Sequence, residues 1–149
     1  MTDIVIIVAL LMNGAMAGVF FAFSTAVMPA FDAIKPEEAV AAMQSINRKI
    51  LNPRFLLTFV GGPIVALAAG VVALIAGQTT PALFAFAGGA VALVGSLILT
   101  GAVNVPMNNA LDRNETTWAA FSPRWTRFNT TRGWADALAT VLLALALTY

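Results

Sequence analysis

Three stretches of this chain, Ile4–Met28, Phe55–Gly77 and Ala82–Val103, contain no Asp, Glu, Lys or Arg. Each is long enough to cross a bilayer, whose hydrocarbon core of about 30 Å takes roughly 20 apolar residues in a helix. Inside hydrocarbon every backbone N–H and C=O must be satisfied within the segment, and a helix does that locally. A fourth stretch, about Gly133–Tyr149, carries only Asp136 among charged residues. Residues 1–149 therefore read as one all-α membrane domain, an integral four-helix bundle. The opening Met-Thr-Asp has no basic n-region, and the apolar run behind it exceeds the roughly 7–15 residues of a signal peptide, so the first stretch reads as a retained span.

Composition narrows the chemistry. The chain is 60% hydrophobic and 10% charged, with a net charge of +1, so there is no cationic face for nucleic acid. It has no Cys and no His, which removes disulfides, thiolate nucleophiles and the commonest metal and proton-shuttle ligand. No cofactor is expected.

The eight basic residues occupy two connections: Lys35, Arg48, Lys49 and Arg54 after the first span, and Arg113, Arg124, Arg127 and Arg132 after the third. The short connection Gln78–Pro81 has none. The positive-inside rule puts the two long connections in the cytoplasm and both termini outside, in a multi-pass cytoplasmic (inner) membrane protein. The first connection has the marks of an amphipathic helix: Pro36 at its start, Glu37 and Glu38 in the first turn, Arg48 and Lys49 in the last, and Asn52-Pro53 as a stop. Val40, Met43 and Ile50 form its apolar stripe, and Asn47 falls on the same stripe, facing protein or a pocket. In the second connection Asn114 is a candidate cap for a short helix with Trp118 and Phe121, and Ser122-Pro123 for a fresh one running into the fourth span.

Each half of the chain also reads as span, proline, amphipathic connection, asparagine, arginine, span, with Pro29, Asn52 and Arg54 answering to Pro106, Asn129 and Arg132. This suggests two parallel helical hairpins from a duplication. Small residues, including the Gly14–Gly18 GxxxG pair, Gly61-Gly62, Gly88-Gly89 and Gly95, read as sites of close helix packing.

Polar residues at membrane depth are costly unless paired, which makes them default site candidates. If the last helix is unbroken, Trp125, Asn129, Arg132 and Asp136 share one face, descending into the membrane. Asn104 and Asn108 are four apart beside a kink expected at Pro106, and Asn13 and Ser24 share a face of the first span. The competing readings are an i, i+4 salt bridge between Arg132 and Asp136, a plain hydrogen bond from Asn13 to a neighbouring helix, and an aromatic belt for Trp118 and Trp134.

The runs Gly18-Val-Phe-Phe-Ala-Phe-Ser24, Val27-Met-Pro29, Met43-Gln-Ser-Ile-Asn47, Asn52-Pro53-Arg54-Phe55, Asn104-Val-Pro-Met-Asn-Asn109 and Trp125-Thr-Arg-Phe-Asn129 with Arg132 resemble the anthrone oxygenase-like family of small membrane proteins. The resemblance extends over nearly the whole chain. It implies cofactor-free oxidation of a polycyclic anthrone to a quinone by dioxygen, although most bacterial relatives have no established activity. On this resemblance Asn104, Trp125 and Asn129 hold an oxyanion, Arg132 adds positive charge and Asp136 is the base, while Asn13, Ser24, Asn47, Asn52 and Asn108 contact ligand. The partners it implies are an apolar aromatic or lipid-like molecule and the bilayer, with a homo-oligomer or larger membrane complex as a further association. The rival reading is a noncatalytic binder of a quinone or lipid, or an accessory subunit.

Overall fold

Three of the five helices start where the sequence supplies a cap or a first-turn proline: Pro36, Asn52-Pro53 and Thr117. In the computed structural model, which describes residues 1–149, the chain is all-helical, with five helices and no strand. They are α1 (Thr2–Asp32), α2 (Pro36–Ile50), α3 (Pro53–Ile75), α4 (Thr79–Asp112) and α5 (Trp118–Ala146). Asn52 caps α3 by accepting the Phe55 N–H at 3.1 Å, and Pro53 follows where no N–H is needed. Gly77, at φ 74°, supplies the left-handed residue that closes α3 before the short turn.

The prolines just beyond the first and third apolar stretches do not end their helices. α1 runs through Pro29, and α4 runs through Pro106. A mid-helix proline lacks an N–H and its ring strikes the carbonyl four residues back. Here a π-helical turn precedes each one, Phe23–Val27 before Pro29 and Thr100–Asn104 before Pro106. The wider turn moves the offending carbonyl aside, so the helix continues. The second connection also differs from expectation. There is no separate short helix and no new start at Ser122: Thr117 caps a single helix, with its hydroxyl oxygen 3.4 Å from the Ala120 N–H, while Asn114 takes φ 56° in the turn before it.

α1 packs on α3 and α5, and α4 packs on the same two, so neighbours alternate in direction around the ring α1–α3–α4–α5. Close approach is bought with glycine: a Cβ on Gly89 would lie 2.8 Å from the Leu67 side chain, and one on Gly95 would lie 2.6 Å from Ala135 Cβ. The Gly14–Gly18 pair is no joint close contact: a Cβ on Gly14 would lie 3.6 Å from the Thr140 side chain, an ordinary contact, and one on Gly18 meets nothing within 4 Å. α2 lies across the ends of α1, α4 and α5, burying Met43 and Asn47 of its predicted stripe together with Ala39, while Val40 and Ile50 are half-buried. Met28, Met43, Leu111, Phe121 and Trp125 join it in an apolar cluster there.

Three helices, α1, α3 and α4, are long and apolar enough to cross a membrane. Their outward faces expose Leu11, Phe21, Leu57, Ile64 and Leu83, as a surface solvated by lipid does. α5 carries Arg132 and Asp136 in its middle and is less apolar. The two halves do not match at their asparagines: Asn52 is a helix cap and Arg54 is exposed, whereas Asn129 and Arg132 are buried in mid-helix.

Candidate functional site

Along α4 the residues Ser96, Thr100, Asn104 and Asn108 recur every fourth position. In a regular α-helix each step of four turns the side chain about 40° further round, so a four-spaced row spirals off its face. α4 is π-helical over Leu93–Ile98 and Thr100–Asn104, and these wider turns bring the row back into line. The row then meets the buried stripe of α5 rung by rung. Ser96 Oγ donates to Asp136 Oδ2 at 2.9 Å, Arg132 Nη1 donates to Thr100 Oγ1 at 2.9 Å, and Trp125 Nε1 donates to Asn108 Oδ1 at 2.8 Å. Asn104 occupies the rung between the last two; it is buried, and neither of its amide atoms has a partner.

The other side of the α5 stripe is tied to α1. Asn129, fully buried, donates through Nδ2 to the Phe20 carbonyl and to Ser24 Oγ, both at 2.7 Å. Its Oδ1 accepts from Arg132 Nη2 at 2.9 Å. The guanidinium is thus held flat by Thr100 and Asn129, with its carbon 4.3 Å from the centre of the Phe20 ring and 5.5 Å from that of Trp125. Its Nε–H is unpaired. The salt bridge weighed for Arg132 and Asp136 is absent: the carboxylate turns to Ser96, and the one ion pair in the structure is Arg113–Glu115 at the surface. Arg132 is a buried cation in no direct ion pair, with Asp136 one helical turn away as its nearest buried acid, an arrangement that costs free energy and leaves the guanidinium able to take an anion.

Arg132, Asn129 and Trp125 stand on the wall of a cavity of about 410 Å³, a size typical of small-molecule pockets, which run roughly 300–1,000 Å³. Phe20, Phe23, Phe55, Phe59 and Leu97 make most of the surface apolar, and α2 roofs it with Met43, Ile46 and Asn47. Towards the α2 end Asn108, Asn109 and Asp112 add polar groups, with Asn47 Nδ2 donating to Asp112 Oδ1 at 3.4 Å.

Of the residues singled out in the sequence, Trp125, Asn129, Arg132, Asn108 and Asn47 therefore meet at one cavity. The rest do not line it. Asp136 lies one helical turn beyond Arg132, committed to Ser96, so it is not placed as a base. Asn104 is enclosed between helices. Ser24 is behind Asn129 as its acceptor. Asn13 donates within its own helix, to the Ala9 carbonyl and not to a neighbouring helix, and packs on Gly62. Asn52 is spent on its cap. The belt reading also fails for Trp118, which is buried and donates to Asp32 Oδ1 at 2.8 Å beside Ser122, and fits only Trp134, which is 72% exposed. Thr100, Phe20 and Asp112 were missed. The four-residue spacing with Asn104 marks Thr100, but nothing in the sequence singles out one phenylalanine of ten or one exposed aspartate. No group of three or more acidic side chains stands close enough to hold a metal ion.

The family profile described as anthrone oxygenase matches residues 55–142. The chain belongs to that family. Comparison with curated proteins and with solved structures gives no match. The segment matched to the anthrone oxygenase family takes in α3, α4 and most of α5, hence Asn104, Asn108, Trp125, Asn129, Arg132 and Asp136. α1 and α2, which bring Phe20, Ser24 and Asn47 to the same place, precede it, so the family match is shorter than the resemblance read from the sequence.

Proposed function

We propose that the cavity is the site of a cofactor-free oxygenase acting on a planar, anthrone-like polycycle, and that Arg132 binds the oxyanion of its enolate. The observation that carries this reading is the buried guanidinium in no direct ion pair, held against Phe20 and Trp125 on the wall of a largely apolar cavity. Loss of a proton from the methylene carbon gives an anion whose negative charge resides mainly on oxygen, and a fixed cation in an apolar site favours that form. The electron-rich ring then passes an electron to dioxygen. Recombination forms a carbon–oxygen bond and a hydroperoxide, and loss of water leaves the quinone. One anthrone and one dioxygen yield one quinone and one water, so no external reductant is needed. Asp112, the one carboxylate on the cavity wall, takes the proton towards solvent. Asn129 and Thr100 position the guanidinium.

In this reading α5 crosses the bilayer with α1, α3 and α4 as a four-helix bundle. The basic connections face the cytoplasm, both termini lie outside, and substrate arrives from lipid. The second reading, a noncatalytic quinone binder, is favoured by the position of Asp112 at the far end of the cavity from Arg132. The deciding experiment is oxygen uptake by purified protein with a simple anthrone and no added cofactor, set against the spontaneous rate. Asn129→Ala frees the guanidinium to move, and misplacement on that scale costs about a hundredfold in rate. Retention of quinone with no uptake above background replaces the oxygenase by the binder.

A further inference from the structure

Most of the helical glycines are pressed against a neighbour, but Gly18 and Gly101 face open space, with nothing within 4 Å of a Cβ added to either. Gly101 lines the Arg132 cavity. It lies on α4 where that helix leaves α3. The two helices are in close contact where Gly70 meets Phe86 and Gly89 meets Leu67, and contact persists to the π-helical segment Leu93–Ile98. Continuing that antiparallel register brings Leu56 opposite Gly101, where the helices have parted; Val105 follows one turn on along α4, and Leu51 sits in the turn that joins α2 to α3. All four residues line the cavity, and Leu51, Leu56 and Val105 are 68%, 38% and 43% exposed. An opening bordered by three outward apolar side chains and one absent side chain, on the face that lipid solvates, suits an apolar molecule and repels a hydrated one.

We propose that the cavity is loaded sideways from the bilayer through this gap between α3 and α4, and that Gly101 sets the width of ligand admitted. The π-helical turns of α4 thus serve twice, aligning the polar row towards α5 and swinging the helix off α3. The inference rests on the proposed function only for the kind of ligand, a flat polycycle with one oxygen acceptor.

The test is the rate at which 1,8-dihydroxyanthraquinone, carried in lipid nanodiscs, quenches tryptophan fluorescence of the wild type and of Gly101→Ala, Gly101→Leu and Gly101→Trp. Association should slow in that order, by about tenfold or more for Gly101→Leu, with thermal stability retained because the added atoms enter open space. Gly18→Leu, which adds the same bulk at the other open glycine, should bind at the wild-type rate. Wild-type association in Gly101→Leu, slowing by Asn109→Trp alone at the polar end, or no quenching of the wild type overturns the proposal. Gly101-dependent binding without oxygen uptake leaves the portal standing and removes the oxygenase; oxygen uptake indifferent to Gly101 does the reverse.

Discussion

Arg132→Met separates a functional cation from a structural one, because the two roles predict opposite balances of stability and activity. The substitution keeps an unbranched side chain of adaptable shape against Phe20 and Trp125. If α5 crosses the bilayer as proposed, the change removes a charge whose placement in mid-helix costs roughly 2.5–3.5 kcal/mol. Against that gain stand two hydrogen bonds, to Thr100 and Asn129, both 2.9 Å. Polar contacts between membrane helices average about 0.6 kcal/mol and reach about 1.7, and a desolvated cation–π contact adds about 2. The terms nearly cancel, so stability should change by less than about 2 kcal/mol in either direction. Anion binding has no such compensation. Two unit charges about 4 Å apart at an effective dielectric near 20 attract by about 4 kcal/mol, which corresponds to about a thousandfold in rate. Reversible unfolding in mixed micelles reads the first quantity and oxygen uptake with an anthrone the second. A variant that unfolds readily, or one that stays folded and turns over within a few-fold of wild type, refutes the argument: the first makes Arg132 a structural brace, the second a bystander.

Three further outcomes test other parts of the structure. Trp118→Phe deletes the indole donor to Asp32 while leaving ring packing on Phe31 and Phe121 in place; Asp32 is exposed, so the bond falls at or below the low end of the roughly 1.5–3 kcal/mol of a hydrogen bond to a charged group, and unfolding should shift by about 1 kcal/mol with ligand affinity unchanged. Gly89→Val forces branched bulk into a space where even one Cβ stands 2.8 Å from Leu67 and 3.0 Å from its backbone N; loss of about 3 kcal/mol or failure to accumulate is expected, checked by yield and unfolding in detergent. Because the chain has no Cys, single cysteines at Gln78 and Lys49 report topology cleanly: a charged thiol reagent added outside sealed spheroplasts should label the first and spare the second, and labelling of both or neither contradicts the orientation.

The parts of the fold legible in the sequence are those that depend on hydrocarbon alone. Uncharged runs of sufficient length mark α1, α3 and α4, and the alternation of Glu37 and Glu38 with Arg48 and Lys49 marks α2, because those signals are local and do not need a partner helix. The stripe Trp125, Asn129, Arg132, Asp136 was legible for the same reason: a 3.6-residue period fixes a face whatever it meets. Its partners were not. Whether Arg132 pairs with Asp136 is decided by Thr100, Asn129 and Ser96, two of them on another helix, so the i, i+4 rule for an isolated helix points to a salt bridge that the packed structure replaces. Asn13 and Asn129 look equivalent as buried amides, yet one bonds within its own helix and the other crosses to α1.

The prolines carry the same lesson further. Pro29 and Pro106 were legible as interruptions, since each removes a donor and crowds a carbonyl. What the structure does with that cost is to insert a π turn, and a π turn rotates every residue after it relative to those before. A four-residue spacing that ordinary helical geometry would scatter around α4 becomes a row facing α5, so Ser96 and Thr100 join Asn104 and Asn108 only because Leu93–Ile98 and Thr100–Asn104 are widened. The proline just beyond the third apolar stretch is thereby coupled to the ordering of the site above it. The unpaired Asn104 amide sits where the two widened segments deliver it, between the Arg132 and Trp125 rungs. Leaving a buried amide unmatched is a cost that packing alone gives no reason to keep, and the rung it occupies is next to the guanidinium that stands on the cavity wall in no direct ion pair.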